Sequence, residues 1–136
     1  MTEPLPIIRD APLTGDAVES LREAAGWDRT THSDAMLAGS YTHFSISEDD
    51  KLIAFVNVVS DGVGDAFLVN LLVHPDYQRR GLGRRFVKYA VDALTEDGIQ
   101  CVWVTFDEQL DHLDRFYRLC GFDIQKAGVF DNAAPR

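Results

Sequence analysis

The stretch Gln78-Arg79-Arg80-Gly81-Leu82-Gly83-Arg84 decides the fold, because the pattern of the chain changes there from strand to helix. Before it, residues 66–73 are nearly all apolar, which is typical of a strand covered on both faces. After it, apolar residues recur at the spacing of one helix face: Phe86, Val87, Ala90, Val91 and Leu94. The sequence therefore predicts a strand, a glycine-bearing bend and a helix in direct succession.

This bend has the composition of an anion-binding loop. A helix N-terminus presents unpaired N–H groups and the positive end of the helix dipole, and Gly81 and Gly83 let a ligand approach that backbone closely. Four arginines lie within seven residues: Arg79, Arg80, Arg84 and Arg85. No Gly-Lys-Ser/Thr follows, and Phe86 stands where a dinucleotide-binding loop would have its third glycine. We therefore expect a phosphate or diphosphate site of another kind.

The rest of the chain predicts one α/β domain over residues 1–136, with the order β-α-α-β-β-β-α-β-α-β. We expect a mixed central sheet of about six strands with helices on both faces. The predicted strands cover 5–9, 41–46, 52–59, 66–73 and 99–106, and the segment from 122 onward is a short strand or an extended tail. The predicted helices follow Thr14, cover 32–38, run from Arg84 to before Gly98, and run from Leu110 to Cys120.

Composition and charge exclude several classes of protein. With 46% hydrophobic and 26% charged residues, the chain has the make-up of a soluble globular protein, and no apolar run approaches the roughly 20 residues of a membrane span. The N-terminus lacks a basic-then-apolar signal pattern, so we expect a cytoplasmic protein. The net charge of −9 opposes binding to nucleic acid or anionic membranes, and it favours a cationic partner such as an amine.

Cysteine and histidine usage gives no sign of a metal site. Cys101 and Cys120 both lie in apolar stretches, and we expect two buried thiols in a reducing compartment. Two cysteines cannot form a metal quartet, and the histidines have no partners at metal-ligand spacing. The prediction is a protein without a bound metal.

Two motifs resemble a known family. Val73-His74-Pro75-Asp76-Tyr77-Gln78-Arg79-Arg80-Gly81-Leu82-Gly83 resembles the acetyl-CoA signature of the GCN5-related N-acetyltransferases, the GNAT superfamily. Phe116-Tyr117-Arg118-Leu119-Cys120-Gly121-Phe122 is similar to the family's downstream block, with one predicted helix and one predicted strand between the two motifs. The resemblance implies the GNAT fold along nearly the whole chain. It also implies an N-acetyltransferase that moves an acetyl group from acetyl-CoA to a primary amine of a small molecule or peptide, by direct attack in a ternary complex.

The resemblance assigns the cosubstrate contacts to two consecutive segments. Backbone N–H groups of the bend would bind the diphosphate, through Arg79, Arg80, Gly81, Leu82, Gly83 and Arg84. The preceding strand would separate from its neighbour at a bulge and pair with the pantetheine arm and the acetyl carbonyl, through Leu71, Leu72 and Val73. A backbone N–H near Val73 is the expected oxyanion donor.

The catalytic residues follow less directly. Tyr117 matches the family's tyrosine and is the expected general acid for the departing thiolate. Some members place a glutamate where this chain has Thr105 and an asparagine where it has Leu110, so the base stays open. The base candidates are Asp107, Glu108 and His74. Asn70 occupies a strand position where related sequences often carry an acid.

The acceptor site and the oligomeric state also stay open. Aromatic candidates for the walls of the acceptor site are Trp27, Tyr41, Trp103 and Phe106. Carboxylates that could attract a cation are Asp28, Asp34, Asp61 and Asp65, and the sequence does not choose among them. A homodimer and a monomer are both compatible with the sequence.

Two other functions compete with the acetyltransferase. The departures at Thr105 and Leu110 favour a non-catalytic acyl-CoA-binding or regulatory module, whereas Tyr117 favours a catalyst. A nucleotide-phosphate binder would use the same bend, and it would be protected from thermal unfolding by ATP rather than by acetyl-CoA.

Overall fold

A computed structural model describes residues 4–107 and 109–133. The chain divides into two compact units, Met1–Val104 and Thr105–Arg136. The first unit holds β1 (Ile8–Arg9), α1 (Gly15–Ala24), α2 (Ser33–Gly39), β2 (Thr42–Glu48), β3 (Lys51–Ser60), β4 (Asp65–Val73), α3 (Leu82–Glu96) and β5 (Cys101–Val104). The second unit holds α4 (Asp111–Leu119). That all 136 residues form one domain stays a prediction.

The first unit is built on a mixed sheet with the strand order β1-β2-β3-β4-β5. Neighbouring strands are antiparallel from β1 to β4, whereas β4 and β5 are parallel. Parallel neighbours need a crossover connection, and α3 supplies it. The α/β class and the mixed sheet are confirmed.

Helices cover both faces of this sheet, as the alternation of side chains shows. Ser45 on β2 pairs with Phe55 on β3, so the adjacent Phe44 points to the opposite face. Phe55 belongs to a buried cluster with Val18 and Leu21 of α1. On the other face, the ring of Phe44 meets Tyr89 of α3 edge-on, with the ring centroids 6.0 Å apart. Two apolar layers therefore sandwich the sheet.

The ends of α1 form as the sequence predicts. Thr14 Oγ1 accepts a hydrogen bond from the N–H of Ala17 at 3.2 Å, which satisfies one of the free donors of the first turn. At the other end, the backbone passes through Gly26 at a φ of 89°, a left-handed conformation that favours glycine and ends the helix.

Three predicted elements differ from the structure. The described sheet has five strands rather than six, since residues 122–133 form no strand. The sequence leaves a short strand or an extended tail open there, because a strand needs a neighbouring edge to pair with and a sequence pattern cannot show that partner. β5 is four residues long, shorter than the predicted 99–106, and α3 begins at Leu82 rather than Arg84.

The expected burial of both cysteines is wrong. Cys101 is exposed and Cys120 is half-buried. Every second residue of β5, Cys101 and Trp103, is exposed, although the strand reads as continuously apolar. The apolar run therefore predicts more burial than the side chains of this strand have. None of the helices in the described ranges combines the length and apolarity of a membrane span.

Candidate functional site

A bulge in β4 lies three residues before the end of the strand. Phe55 of β3 pairs with Leu72, and Asn57 pairs with Val69, so three steps along β4 match two along β3. Asn70 absorbs the extra residue with a left-handed φ of 56°. A bulge re-aims the strand and increases its twist. The bulge expected before the glycine bend is present.

Beyond this point, no strand in the described part of the chain pairs with β4 on the side of β5, and this unpaired stretch is an open edge. The β4–β5 pairs end at Leu68 and Val104, while β4 continues to Val73. The N–H of His74 donates to the Ile53 carbonyl of β3 at 2.7 Å. Because successive residues alternate in direction, the N–H of Val73 points away from β3, toward the open edge.

The three residues predicted on this strand therefore differ in role. Leu71 shares the direction of Val73, so both offer backbone groups to the open edge. Leu72 faces the other way: it pairs with Phe55 and is buried in the α1 cluster. The carbonyl of Val73 accepts a hydrogen bond from the Gln78 side chain at 2.9 Å, which ties the strand end to the following bend.

The bend between β4 and α3 is fixed by local contacts. A short 3₁₀ turn, Pro75–Tyr77, follows β4. The Tyr77 hydroxyl donates to Glu48 Oε1 at 2.5 Å, and this hydrogen bond raises the pKa of Tyr77. The backbone is then left-handed at Arg79 and Gly81, with φ of 64° and 73°. A Cβ atom on Gly81 would meet nothing within 4 Å, so this side of the bend is open.

The N-terminus of α3 has no side-chain cap. Gly81 is the N-cap residue, and the N–H of Arg85 makes the first helical hydrogen bond, to the Gly81 carbonyl at 3.1 Å. The N–H groups of Leu82, Gly83 and Arg84 therefore have no carbonyl of the helix to bind. In α1, the hydroxyl of Thr14 accepts a hydrogen bond from an N–H at the equivalent position, whereas α3 has no such side chain. These three donors can hold an anionic diphosphate.

The four arginines of the bend have two different roles. Arg79, Arg80 and Arg84 are exposed, and the guanidinium of Arg80 lies over the Tyr77 ring, 5.4 Å from its centroid. Arg85 Nη2 instead donates to the Leu5 carbonyl at 2.9 Å, so this side chain holds the N-terminal segment. Three positive charges are thus left for a ligand at this helix end.

A chain of polar side chains supports the bulge from behind. Asn70 Nδ2 donates to Asn57 Oδ1 at 2.8 Å, and Asn57 Nδ2 donates to Ser40 Oγ at 3.0 Å. Arg22 Nη1 reaches Asn70 Oδ1 at 3.4 Å. Asn57 is only 2% exposed, so leaving its amide unpaired would be costly. Asn70 therefore acts here as an anchor of the bulge, a role that no motif indicated.

Tyr117 lies in an aromatic group within the second unit. Phe106 stacks on its ring at 5.1 Å, and Phe116 and Phe122 meet it edge-on at 5.1 Å and 5.8 Å. Burial, together with the nearby Cys120, raises the pKa of Tyr117 to about 12. The phenol is therefore protonated at all physiological pH values.

The three predicted base candidates fall in different settings. His74 Nδ1 accepts the N–H of Asp76 at 3.2 Å, which caps the 3₁₀ turn and places the proton of a neutral ring on Nε2. Asp107 is exposed, and its Oδ1 accepts the N–H of Gln109 at 2.9 Å. Glu108 lies outside the described residues. A role as base stays a prediction for each of them.

Several acceptor-site candidates are engaged in the structure of the first unit. Asp34 Oδ1 accepts the N–H of Gly15 at 2.7 Å and so joins α2 to α1. Trp27 lies under the guanidinium of Arg22, 5.1 Å from it. The Tyr41 hydroxyl donates to Asp97 at 2.8 Å. Trp103 differs, because it is exposed and its ring stacks on the exposed ring of Phe67. Across 4–107 and 109–133, no three His, Cys, Asp or Glu side chains converge as metal ligands.

The structure thus joins a bulged fourth strand with an open edge to an uncapped helix, the arrangement that the resemblance of the sequence to the GNAT superfamily implies. Comparison with family models agrees, since the acetyltransferase (GNAT) family model matches residues 10–122. The chain belongs to the GNAT family.

Curated relatives match a large part of the chain. The [ribosomal protein bS18]-alanine N-acetyltransferase of Escherichia coli K12 is 33% identical over 89 residues, which cover 64% of this chain and 57% of that enzyme. A soybean (Glycine max) protein, histone acetyltransferase TAP1, is 27% identical over 125 residues, covering 82% of this chain and 53% of the relative. The chain thus spans little more than half the length of these relatives.

Solved structures share the fold over nearly the whole chain. A GNAT family protein from Streptococcus pneumoniae TIGR4 superposes with a TM-score of 0.77 at 24% identity, covering 96% of this chain and 100% of that one. The E. coli ribosomal-protein-S18-alanine N-acetyltransferase gives a TM-score of 0.73 at 23% identity, covering 96% and 85%. These likenesses confirm the GNAT fold.

Proposed function

We propose that the protein transfers an acetyl group from acetyl-CoA to a primary amine. One observation carries the proposal: β4 presents an open, bulged edge and leads directly into the uncapped N-terminus of α3 at Gly81. Acetyl-CoA has an extended arm with a diphosphate at one end and a thioester at the other. The strand edge suits the arm, and the helix N-terminus suits the diphosphate. Membership of the GNAT family supports the same activity.

The residues of this segment fit acetyl-CoA group by group. The N–H donors of Leu82, Gly83 and Arg84 suit the diphosphate, and nearby arginines add positive charge. The backbone groups of Leu71 and Val73 suit the amides of the pantetheine arm, which would add to the sheet edge as a further strand does. This recognition depends on backbone geometry, so it tolerates many side chains but requires the bulge and the bend.

The reaction then needs a neutral amine and a polarised thioester. The amine nitrogen attacks the carbonyl carbon, a C–N bond forms, and the C–S bond breaks. The amine nitrogen loses one proton and the departing sulfur gains one, so the products are an amide and a thiol. The N–H of Leu71, which lies near Val73 on the same open edge and next to the bulge, can stabilise negative charge on the carbonyl oxygen.

Tyr117 is proposed to assist the departing sulfur. A thiol has an ordinary pKa of about 8.5, so complete proton transfer from a phenol with a pKa of about 12 would cost about 5 kcal/mol. We therefore assign to Tyr117 a hydrogen bond to the developing thiolate, and the sulfur takes its proton from the reacting ammonium or from water. Asp107, Glu108 and His74 remain the proposed bases for the amine.

Thermal unfolding and thiol release test the proposal together. Acetyl-CoA should raise the Tm, ATP at the same concentration should raise it less, and a panel of primary amines should give amine-dependent thiol release. A larger shift with ATP, or no shift with acetyl-CoA, would contradict the proposal.

A variant of Tyr117 separates a catalyst from a binding module. Tyr117→Phe removes one hydrogen bond to the developing thiolate, so it should lower kcat about 100-fold while the Kd for acetyl-CoA stays within about twofold of the wild type. Tyr89→Phe on α3 is the matched control and should change neither quantity, because the substitution keeps the ring that packs edge-on against Phe44. Wild-type protein that binds acetyl-CoA but releases no thiol with any amine would show the module instead.

A further inference from the structure

An exposed apolar row crosses three strands at the other end of β4. Val59 pairs with Phe67, and Phe67 pairs with Trp103, so the three side chains stand side by side on one face of the sheet. They are 54%, 41% and 36% exposed, and the rings of Phe67 and Trp103 stack with centroids 5.9 Å apart. Three large apolar side chains in contact on an open sheet surface indicate a binding surface.

Carboxylates border this row at the end away from the bulge. Trp103 Nε1 donates to Asp65 Oδ1 at 2.9 Å, which places this carboxylate beside the rings. A hollow of about 490 Å³ adjoins the row, and both Asp61 and Asp65 line it together with Val59 and Phe67. Both carboxylates are exposed. An apolar floor with negative charge at one end suits a molecule with a cation beyond an apolar stretch.

The position of the row along β4 relates it to the acetyl site. At about 3.3 Å per residue, Phe67 lies about 10 Å and Asp65 about 16 Å from the bulge at Asn70. Reaction centre, apolar row and carboxylates therefore follow one another along a single strand. A rigid strand fixes this order, whereas a loop would not.

We infer that this surface selects an acceptor with two cationic ends, a linear diamine or polyamine. One primary amine would react at the bulge, the methylene stretch would lie on Phe67 and Trp103, and the second ammonium would sit against Asp61 and Asp65. Along the strand, the second nitrogen would lie about 16 Å from the bulge, at the level of Asp65. This inference rests on the proposed function, because it names the substrate of the same site. The net charge of −9 adds to the attraction of a dication.

A series of diaminoalkanes measures this spacing directly. We expect kcat/KM for thiol release to rise from 1,4-diaminobutane to 1,10-diaminodecane. We also expect 1,10-diaminodecane to exceed n-decylamine, which lacks the second charge, at least about tenfold. Equal values for the diamine and the monoamine, or a better value for the shortest diamine, would overturn the inference. So would a preference for arylalkyl monoamines or for peptides over the long diamines.

Asp65→Asn tests the charge with little change of shape. The amide oxygen can still accept the hydrogen bond from Trp103, so the stacked rings keep their support. The KM for 1,10-diaminodecane should rise about tenfold, while kcat and the KM values for n-decylamine and acetyl-CoA should not change. Asp49→Asn, in the turn between β2 and β3, removes the same charge at a left-handed position that suits asparagine, and it should have no effect. An unchanged diamine KM in Asp65→Asn would contradict the inference.

Binding of acetyl-CoA separates failure of this inference from failure of the proposed function. If the wild type binds acetyl-CoA and acetylates some other amine without preferring long diamines, only the inference is wrong. If it neither binds acetyl-CoA nor releases thiol, the proposed function is wrong and the inference falls with it.

Discussion

The two ends of β4 differ in the groups that they offer to a ligand. The end that follows Leu68, called here the cofactor end, offers backbone groups from Leu71 and Val73 and leads to the N–H groups of α3. The end around Phe67, called here the acidic end, offers rings and carboxylates. The cofactor end therefore depends on conformation, through a bulge and a left-handed glycine, whereas the acidic end depends on which side chains share a face.

The strand can serve both purposes because its alternate residues belong to the core. Ala66, Leu68 and Leu72 are at most 4% exposed. They hold β4 between its neighbours, and the residues between them face the open edge or the apolar row. A substitution at one end should therefore leave the other end working, which makes the comparison testable.

Gly81→Asp should have the largest effect, because it places a carboxylate at the donors of the cofactor end. We expect the Kd for acetyl-CoA to rise about 100-fold, equivalent to about 2.7 kcal/mol. Gly98→Asp is a matched control, since this glycine follows the other end of α3, also has a positive φ, and also has open space around its Cβ position. Isothermal titration calorimetry with acetyl-CoA compares the two variants. An equal loss of affinity in both would contradict the proposal that the N–H groups at the start of α3 bind the diphosphate.

Tyr117 should show its burial in the alkaline stability of the protein. The phenol has a pKa of about 12 when folded and about 10 when unfolded, so the folded state favours the protonated form. The resulting stabilisation is complete below pH 10 and is lost as the pH rises through 12, about 2–3 kcal/mol in all. Urea unfolding between pH 9 and pH 12 should show this loss in the wild type and a smaller loss in Tyr117→Phe. Parallel curves would mean that the phenol is not buried.

Asn70→Gly should loosen the cofactor end without touching the acidic end. Glycine accepts the left-handed backbone at this position but cannot donate to Asn57. We expect the KM for acetyl-CoA to rise about tenfold and kcat to fall, while the ratio of diamine to monoamine activity stays constant. Asn70→Asp keeps the size of the side chain but loses the donor, and it should behave like glycine. Wild-type kinetics in both variants would show that the amide pair does not position the strand.

Substitutions of Arg84 and Arg85 should give the smallest effects. The first should change the affinity for acetyl-CoA, and the second should change the stability of the fold. Arg84→Gln removes an exposed charge beside the free N–H groups, so the Kd for acetyl-CoA should rise a few-fold and become less sensitive to salt. Arg85→Gln removes the bond to the Leu5 carbonyl and should lower the Tm with little change in Kd. If Arg85→Gln weakened binding more than Arg84→Gln, the roles assigned to the two side chains would be reversed.

The strand, the bend and the helix at the cofactor end could be predicted from sequence because their signals are local, whereas their role in binding stays a proposal. Glycine at 81 and 83, arginines beside them and an apolar run before them lie within one short segment. The family resemblance then located the bulge. The structure added the residue that forms the bulge, Asn70, and its anchor Asn57, which is 13 residues away and on another strand.

The acidic end could not be predicted, because it depends on strand register. Trp103 and Asp65 were both among the acceptor-site candidates, but Trp27, Tyr41 and Asp34 were equally plausible. Phe67 lies in an apolar run whose pattern predicts a strand covered on both faces. Only the pairing of β4 with β5 shows that Phe67 and Trp103 stack and that Asp65 lies beside them. The same lack of pairing information produced the sixth strand and the buried Cys101 that the structure does not have.

Amide NMR shifts during titration with acetyl-CoA test the central claim most directly. The account predicts that the largest changes fall on the N–H groups of Leu82, Gly83 and Arg84, followed by Val73, and that the acidic end moves little until an amine is added. Saturable binding with these four amides unshifted would contradict the claim that the backbone of this strand and helix holds the cosubstrate.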